Sequence, residues 1–196
     1  MSNTRTSPRK AIAAGVLICM GCVVYLHLLP ISKIAAAVFF SAGLWFVLQT
    51  KAELFTGRVA SPDYSIPQKL LMLIYNLIGA FLCGFTASLV FPDLTPTPPV
   101  LVPSTVLPII WKSVMCGVCM YLATIPSQQR LPNVVYGVTL FILSGYAHSI
   151  AIAGYVAIGR FPIFSLLVIP IAAVGNAIGS YLMKFLVSER SDDKIN

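Results

Sequence analysis

Of the 196 residues, 58% are apolar and only 10% are charged, with a mean hydropathy of +0.88, against roughly 45–50% apolar and 25% charged in a soluble domain. A water-soluble fold is excluded, because a domain of this size keeps much of its surface in solvent and needs more charge to stay dispersed. The formal charge of +7 forms no stripe that would fit nucleic acid: Arg5, Arg9 and Lys10 precede the first apolar run, Arg58 and Lys69 follow the second, Arg130 follows the fourth, and Lys184, Arg190 and Lys194 end or follow the last.

Hydropathy predicts six spans, at residues 11–29, 34–57, 69–91, 106–125, 134–160 and 162–187, each near or above the ~20 residues that cross ~30 Å of hydrocarbon. The other connections carry only Lys33, Lys112 and Arg160. With an even number of spans, this asymmetry predicts both termini in the cytoplasm and a multi-pass protein of the cytoplasmic (inner) membrane. The expected organisation is one membrane domain over 11–187, contacting lipid, with residues 1–10 and 188–196 as cytoplasmic flanks. The first run lacks a small-residue cleavage site and is expected to be retained.

In chain order, the first span ends at Pro30, with His27 near the interface. The second is broken by the polar segment Lys51-Ala52-Glu53-Leu54-Phe55-Thr56-Gly57. The third carries Asn76-Leu77-Ile78-Gly79-Ala80, and a proline-rich stretch from Phe91 to Pro108 then divides the chain into two halves of three spans. The fifth is broken at Ser144-Gly145-Tyr146-Ala147-His148-Ser149, and the sixth carries Asn176-Ala177-Ile178-Gly179-Ser180. The matching N-x-I-G-small strings suggest an internal repeat, inverted across the membrane because each half has an odd number of spans. Interrupted helices at corresponding places point to a transport site where the second and fifth spans meet. The expected non-helical segments are 50–57 and 144–150.

His148 is an ionisable group inside a span, which is costly and marks function by default. Lys51 at the other break is a cation that would attract anions. Glu53 reads as a structural carboxylate at the start of the following half-helix, and Asn76 and Asn176 read as tethers for unwound backbone. The cysteines Cys19, Cys22, Cys83, Cys116 and Cys119 lie in apolar runs. Two CxxC spacings occur, but zinc thiolates want a polar second shell, so these cysteines read as packing residues. No metal and no cofactor is expected.

These strings resemble the formate/nitrite transporter family. KAELFTG looks like that family's second-span loop and SGYAHSIA like its fifth-span motif, while CGVCMYLA and IPIAAVGNAIGS look like its fourth and sixth spans. The resemblance covers nearly the whole chain and implies a pentamer with a pore in each protomer, each an all-α inverted three-plus-three repeat of aquaporin-like architecture. It implies His148 as the central histidine, Thr56 facing it, and hydrophobic constrictions from Phe40, Leu44, Leu54, Phe55, Met120 and Phe141. Glu53, Gly57, Gly145, Ser149, Asn76 and Asn176 would shape the pore loops. The chain departs from the family at Ala147, where a glutamate is usual, at Ile152, where an asparagine is usual, and at Lys51, where a small neutral residue is usual; it would be a short member.

The expected function is a channel or transporter for small monovalent weak-acid anions such as formate, nitrite or hydrosulfide, with protons taking part near His148. A neutral-solute pore for water, glycerol or ammonia is the alternative, though neither break holds an N-P-A motif. Enzyme chemistry is not expected: a redox or haem reading of the CxxC pairs or of His27 and His148 lacks acid/base partners, since Glu53 is the only carboxylate within a span.

Overall fold

The computed structural model describes residues 4–96, 106–161 and 163–187, which form eight α-helices and one 3-10 turn. They are α1 (Pro8–Leu28), α2 (Lys33–Gln49), α3 (Phe55–Arg58), α4 (Ile66–Val90), α5 (Val106–Thr124), α6 (Arg130–Leu143), α7 (Ser149–Ile158), the turn Ile163–Leu167 and α8 (Val168–Val187). Among the described residues there is no strand. Pro98, Pro99 and Pro103 of the proline-rich stretch, and the tail from 188, lie outside them.

Proline sets several boundaries. Pro8 and Pro67 open α1 and α4 at positions whose N–H groups have no intrahelical partner, so the missing donor costs nothing there. The sixth span, expected as helix from 162, begins as a 3-10 turn, and its α-helix starts only at Val168. Pro170 explains the difference, because its ring clashes with the carbonyl four residues back and stops the α-helix from extending upstream.

Four helices are long and apolar enough to cross a membrane: Pro8–Leu28, Ile66–Val90, Val106–Thr124 and Ser165–Val187. The chain is a multi-pass membrane protein. Its polarity is arranged inside out, with Thr56, Asn76, His148 and Asn176 buried while Phe39, Leu107 and Phe185 stand on the surface. The stretches predicted as second and fifth spans are each divided into two shorter helices, with residues 50–54 and 144–148 non-helical. Helix resumes at Phe55 and at Ser149, earlier than expected.

Two close helix pairs frame the molecule, α1 against α4 and α5 against α8. Their contacts correspond. A Cβ on Gly15 would overlap the carbonyl of Asn76, and one on Gly79 that of Ile12. In the other pair a Cβ on Gly117 would overlap the carbonyl of Asn176, and one on Gly179 that of Val114. Backbones this close leave no room for a side chain, the packing mode membrane helices use in place of a hydrophobic driving force. Between the pairs, α2 lies on α6 and α7 on α4.

Candidate functional site

Both helix interruptions begin with the same turn. Thr50 caps α2, Lys51 takes a left-handed φ of 54°, and the N–H groups of Lys51 and Ala52 donate back to Leu48 O at 3.3 Å and Val47 O at 3.0 Å. Ser144 caps α6, Gly145 has φ 65°, and the N–H groups of Gly145 and Tyr146 donate to Ile142 O at 3.1 Å and Phe141 O at 2.9 Å. This is the Schellman closure of a helix C-terminus, whose left-handed position glycine fills without strain. Lysine fills it in the first half.

Each non-helical segment is then tied down in the same way. Glu53 N–H donates to Lys10 O at 3.3 Å and Ala147 N–H to Lys112 O at 3.2 Å. Asn76 Oδ1 accepts Phe55 N–H at 2.7 Å while its Nδ2 donates to Ala11 O and Glu53 O at 2.7 and 2.8 Å. Asn176 Oδ1 accepts Ser149 N–H at 3.0 Å while its Nδ2 donates to Ser113 O and Ala147 O at 2.9 and 2.8 Å. Both asparagines are wholly buried, where each open backbone group would otherwise cost several kcal/mol at membrane depth. The correspondence pairs Lys51 with Gly145, Glu53 with Ala147, and Leu54 with His148 at the two N-caps.

His148 and Thr56, 92 residues apart, meet where the two halves join: His148 Nε2 lies 2.9 Å from Thr56 Oγ1. Both are buried, at 3% and 1% exposure. His148 Nδ1 accepts the N–H of Ala151 at 3.1 Å, so the side chain caps α7. A backbone N–H can only donate, which fixes the neutral ring as the Nε2–H tautomer and makes Nε2–H the donor to Thr56 Oγ1. The hydroxyl hydrogen of Thr56 is thereby left over to be donated elsewhere. Phe141 stacks on His148 at 5.6 Å with planes 19° apart, and Phe40 stands edge-on to Phe141 at 5.8 Å.

Two cavities approach this junction. The first, about 460 Å³, is lined by Phe141, His148 and Ala151 together with Tyr25, Tyr146, Tyr155, Thr95 and Lys112. The second, about 400 Å³, is lined by Leu44, Leu54, Gly57, Arg58, Tyr121, Thr124 and Lys184. None of the described lining residues is acidic. Phe40, Leu44, Leu54, Met120 and Phe141 are all buried to 2% exposure or less and belong to one apolar cluster.

Three sequence candidates stand elsewhere. Lys51 is exposed and lines neither cavity. Phe55 packs in a separate cluster with Ala11, Val59, Tyr64, Met72 and Ala173; neighbours on a helix point about 100° apart, and Thr56 already takes the direction of His148. The Glu53 carboxylate, read from sequence as lying at the following half-helix, reaches the start of α1, where Oε2 accepts Ser7 N–H at 2.8 Å. Its chain runs beside α1 through the Lys10 bond, so the nearest positive helix end is that of α1. Ser149 Oγ is buried with no hydrogen-bond partner.

Sequence reasoning passed over Lys112 and Arg58 as markers of topology. Lys112 belongs to α5, where it is the only charged residue between Val106 and Thr124; that isolation was the available signal. Arg58 ends α3, lines the second cavity and donates to Tyr64 Oη at 2.8 Å. The tyrosines of the first cavity carry no spacing that would have singled them out.

No protein-family model and no curated protein matches the sequence. Solved structures do. One, described as an FNT family ion channel, superposes with a TM-score of 0.75 at 18% identity, covering 93% of this chain and 90% of that one. Another, described as a pentameric formate channel with formate bound, gives a TM-score of 0.67 at 18% identity over 90% of this chain and 92% of that one. The all-helical channel fold is shared along nearly the full length.

Proposed function

We propose that this chain is a channel or transporter for small monovalent weak-acid anions of the formate/nitrite type. In this reading residues 11–187 form one pore domain that crosses the cytoplasmic membrane six times as an inverted three-plus-three repeat. The divided stretches α2–α3 and α6–α7 serve as broken second and fifth spans, both termini are cytoplasmic, and five copies assemble with a pore in each. The equivalent turns and asparagine tethers of the two halves support the repeat, and the formate channel's pentamer supports the assembly.

The observation that carries the reading is the Thr56–His148 contact, set between two cavities that each hold a cation and no described carboxylate. An anion entering beside Lys112 or Arg58 gains Coulomb attraction and then meets the apolar cluster of Phe40, Leu44 and Phe141, where a bare charge is costly. Thr56, its own oxygen satisfied by His148 Nε2–H, offers its hydroxyl hydrogen to the anion at that point. A weak acid has a way through that a strong-acid anion lacks, because taking up a proton removes the charge. For His148 to carry a second proton, Nδ1 must let go of Ala151 N–H, so charging the histidine and uncapping α7 are one event.

Proteoliposome flux across formate, nitrite, hydrosulfide, acetate and lactate, at two pH values with the proton gradient set independently, tests the reading. Saturable anion flux that rises as external pH falls supports it. Flux of glycerol, water or ammonia without anion flux replaces it with a neutral-solute pore.

A further inference from the structure

Three cysteines converge on the face of α1 that meets α4 and α7. The α1 and α4 helices run parallel, since contacts step along both in the same direction: Thr6 with Gln68, Ala11 with Asn76, Ile12 with Gly79. Their backbones touch at Gly15 and Gly79. One turn further along each helix stand Cys19 and Cys83, which the parallel packing sets on the facing sides of α1 and α4, Cys83 packing against the apolar cluster that holds Cys19. Cys22 donates to Ala151 O at 3.8 Å. A Cβ on Gly154 of α7 would lie 3.1 Å from Cys19 Sγ and 3.6 Å from Cys22 Sγ, so α7 backs onto both thiols.

We propose that Cys19 and Cys83 form an oxidative modification site, closing to an intramolecular disulfide between α1 and α4 when the membrane meets a peroxide. All five cysteines are free thiols here. Cys83 is half-buried on α4 beside the exposed Leu82 and Phe85, whereas Cys19 is wholly buried, so Cys83 is the sulfur a neutral, membrane-permeant peroxide reaches first. Its sulfur attacks the O–O bond of hydrogen peroxide, forming Cys83–SOH and releasing water. The sulfur of Cys19 then displaces hydroxide from the sulfenic acid; the S–S bond forms, the Cys19 proton joins the leaving hydroxide as a second water, and the two thiols have lost two electrons and two protons to the peroxide.

Geometry favours this pair over either CxxC. A disulfide needs Cβ atoms about 3.5–4.5 Å apart, whereas residues three apart on a continuous helix hold theirs at roughly 5–6 Å. Cys19 with Cys22, and Cys116 with Cys119, sit inside unbroken α1 and α5. Cys19 and Cys83 instead sit on two different helices, one turn from the crossing at which Gly15 and Gly79 let the backbones touch.

The test exposes the purified full chain to hydrogen peroxide, denatures it, counts remaining thiols by maleimide mass labelling and maps cross-linked peptides. The expected result is a fall from five reactive thiols to three, a bridge joining the Cys19 and Cys83 peptides within one chain, and return to five with dithiothreitol. Cys19→Ala and Cys83→Ala each abolish the bridge, and Cys116→Ala with Cys119→Ala leaves it intact. Retention of all five thiols overturns the proposal, as does a Cys19–Cys22 bridge, a Cys83 bridge between two chains, or Cys83 held as sulfenic acid with Cys19 still free.

Discussion

At the level of single residues, the roles of Thr56 and His148 separate cleanly because each hydrogen bond has a defined donor. Thr56→Val keeps the shape and removes the hydroxyl. We expect it to lower anion flux roughly ten-fold or more, since a hydrogen bond to a charged group contributes roughly 1.5–3 kcal/mol, and to lower the melting temperature modestly, because the buried His148 Nε2–H loses its acceptor at a cost of about 1–3 kcal/mol. His148→Asn keeps a side chain that caps α7 well and removes the titratable ring, so the prediction is a folded protein whose flux no longer depends on pH beyond the titration of the substrate. His148→Ala loses the cap as well, at a cost of about 0.5–2 kcal/mol, visible as a lower melting temperature. Lys51→Gly relieves a lysine held at φ 54°, where an L-residue bears roughly 1–2 kcal/mol; melting temperature rises, and flux stays within about two-fold because the side chain lines neither cavity. The sequence led to His148 because an ionisable ring sits in a polar break of an apolar run, and to Thr56 through the resemblance to the formate/nitrite transporters. It did not reveal the posture of Lys51. A glycine such as Gly145 announces a left-handed turn, whereas a lysine there announces only its charge; its side chain is exposed and lines neither of the two cavities.

Helices and their joints are where the pattern of Asn76 and Asn176 matters. Asn176→Ala would leave Ser149 N–H and the carbonyls of Ser113 and Ala147 without the partners they now have. At about 1–3 kcal/mol for each buried unsatisfied group, the loss exceeds what most point mutations cost; the expected outcome is a chain that fails to yield folded protein in mild detergent, checked by size-exclusion chromatography and circular dichroism. Hydropathy windows located the long apolar helices but blurred their ends. A window cannot see that Pro170 stops α8 from reaching back to 162, nor that helix resumes as early as Phe55 and Ser149, because those boundaries are set by a single ring clash and by asparagine side chains reaching in from another helix. The N-x-I-G-small strings did carry the tethers and the close crossings together, since the asparagine and the glycine three residues later lie on one face of the same helix.

Across the whole molecule, composition decided the solvent and the apolar runs decided the all-helical class, but no periodicity encodes how many copies assemble. Native mass spectrometry in mild detergent should give a pentamer; a monomer or trimer as the sole species would count against five pores per assembly. The two cavities were also not legible, because Lys112, Arg58 and the tyrosines come from four separate helices and the 144–148 segment and meet only in the fold. The central claim is that anions pass between these cavities by way of the Thr56 hydroxyl. The most direct measurement is formate flux into proteoliposomes, at fixed inward proton gradient, for the unaltered chain beside Thr56→Val at matched protein incorporation. The account predicts saturable formate flux in the first and at least a ten-fold fall in the second, with both chains folded by circular dichroism. Equal formate flux in both, or glycerol flux in place of formate flux in the unaltered chain, would contradict it.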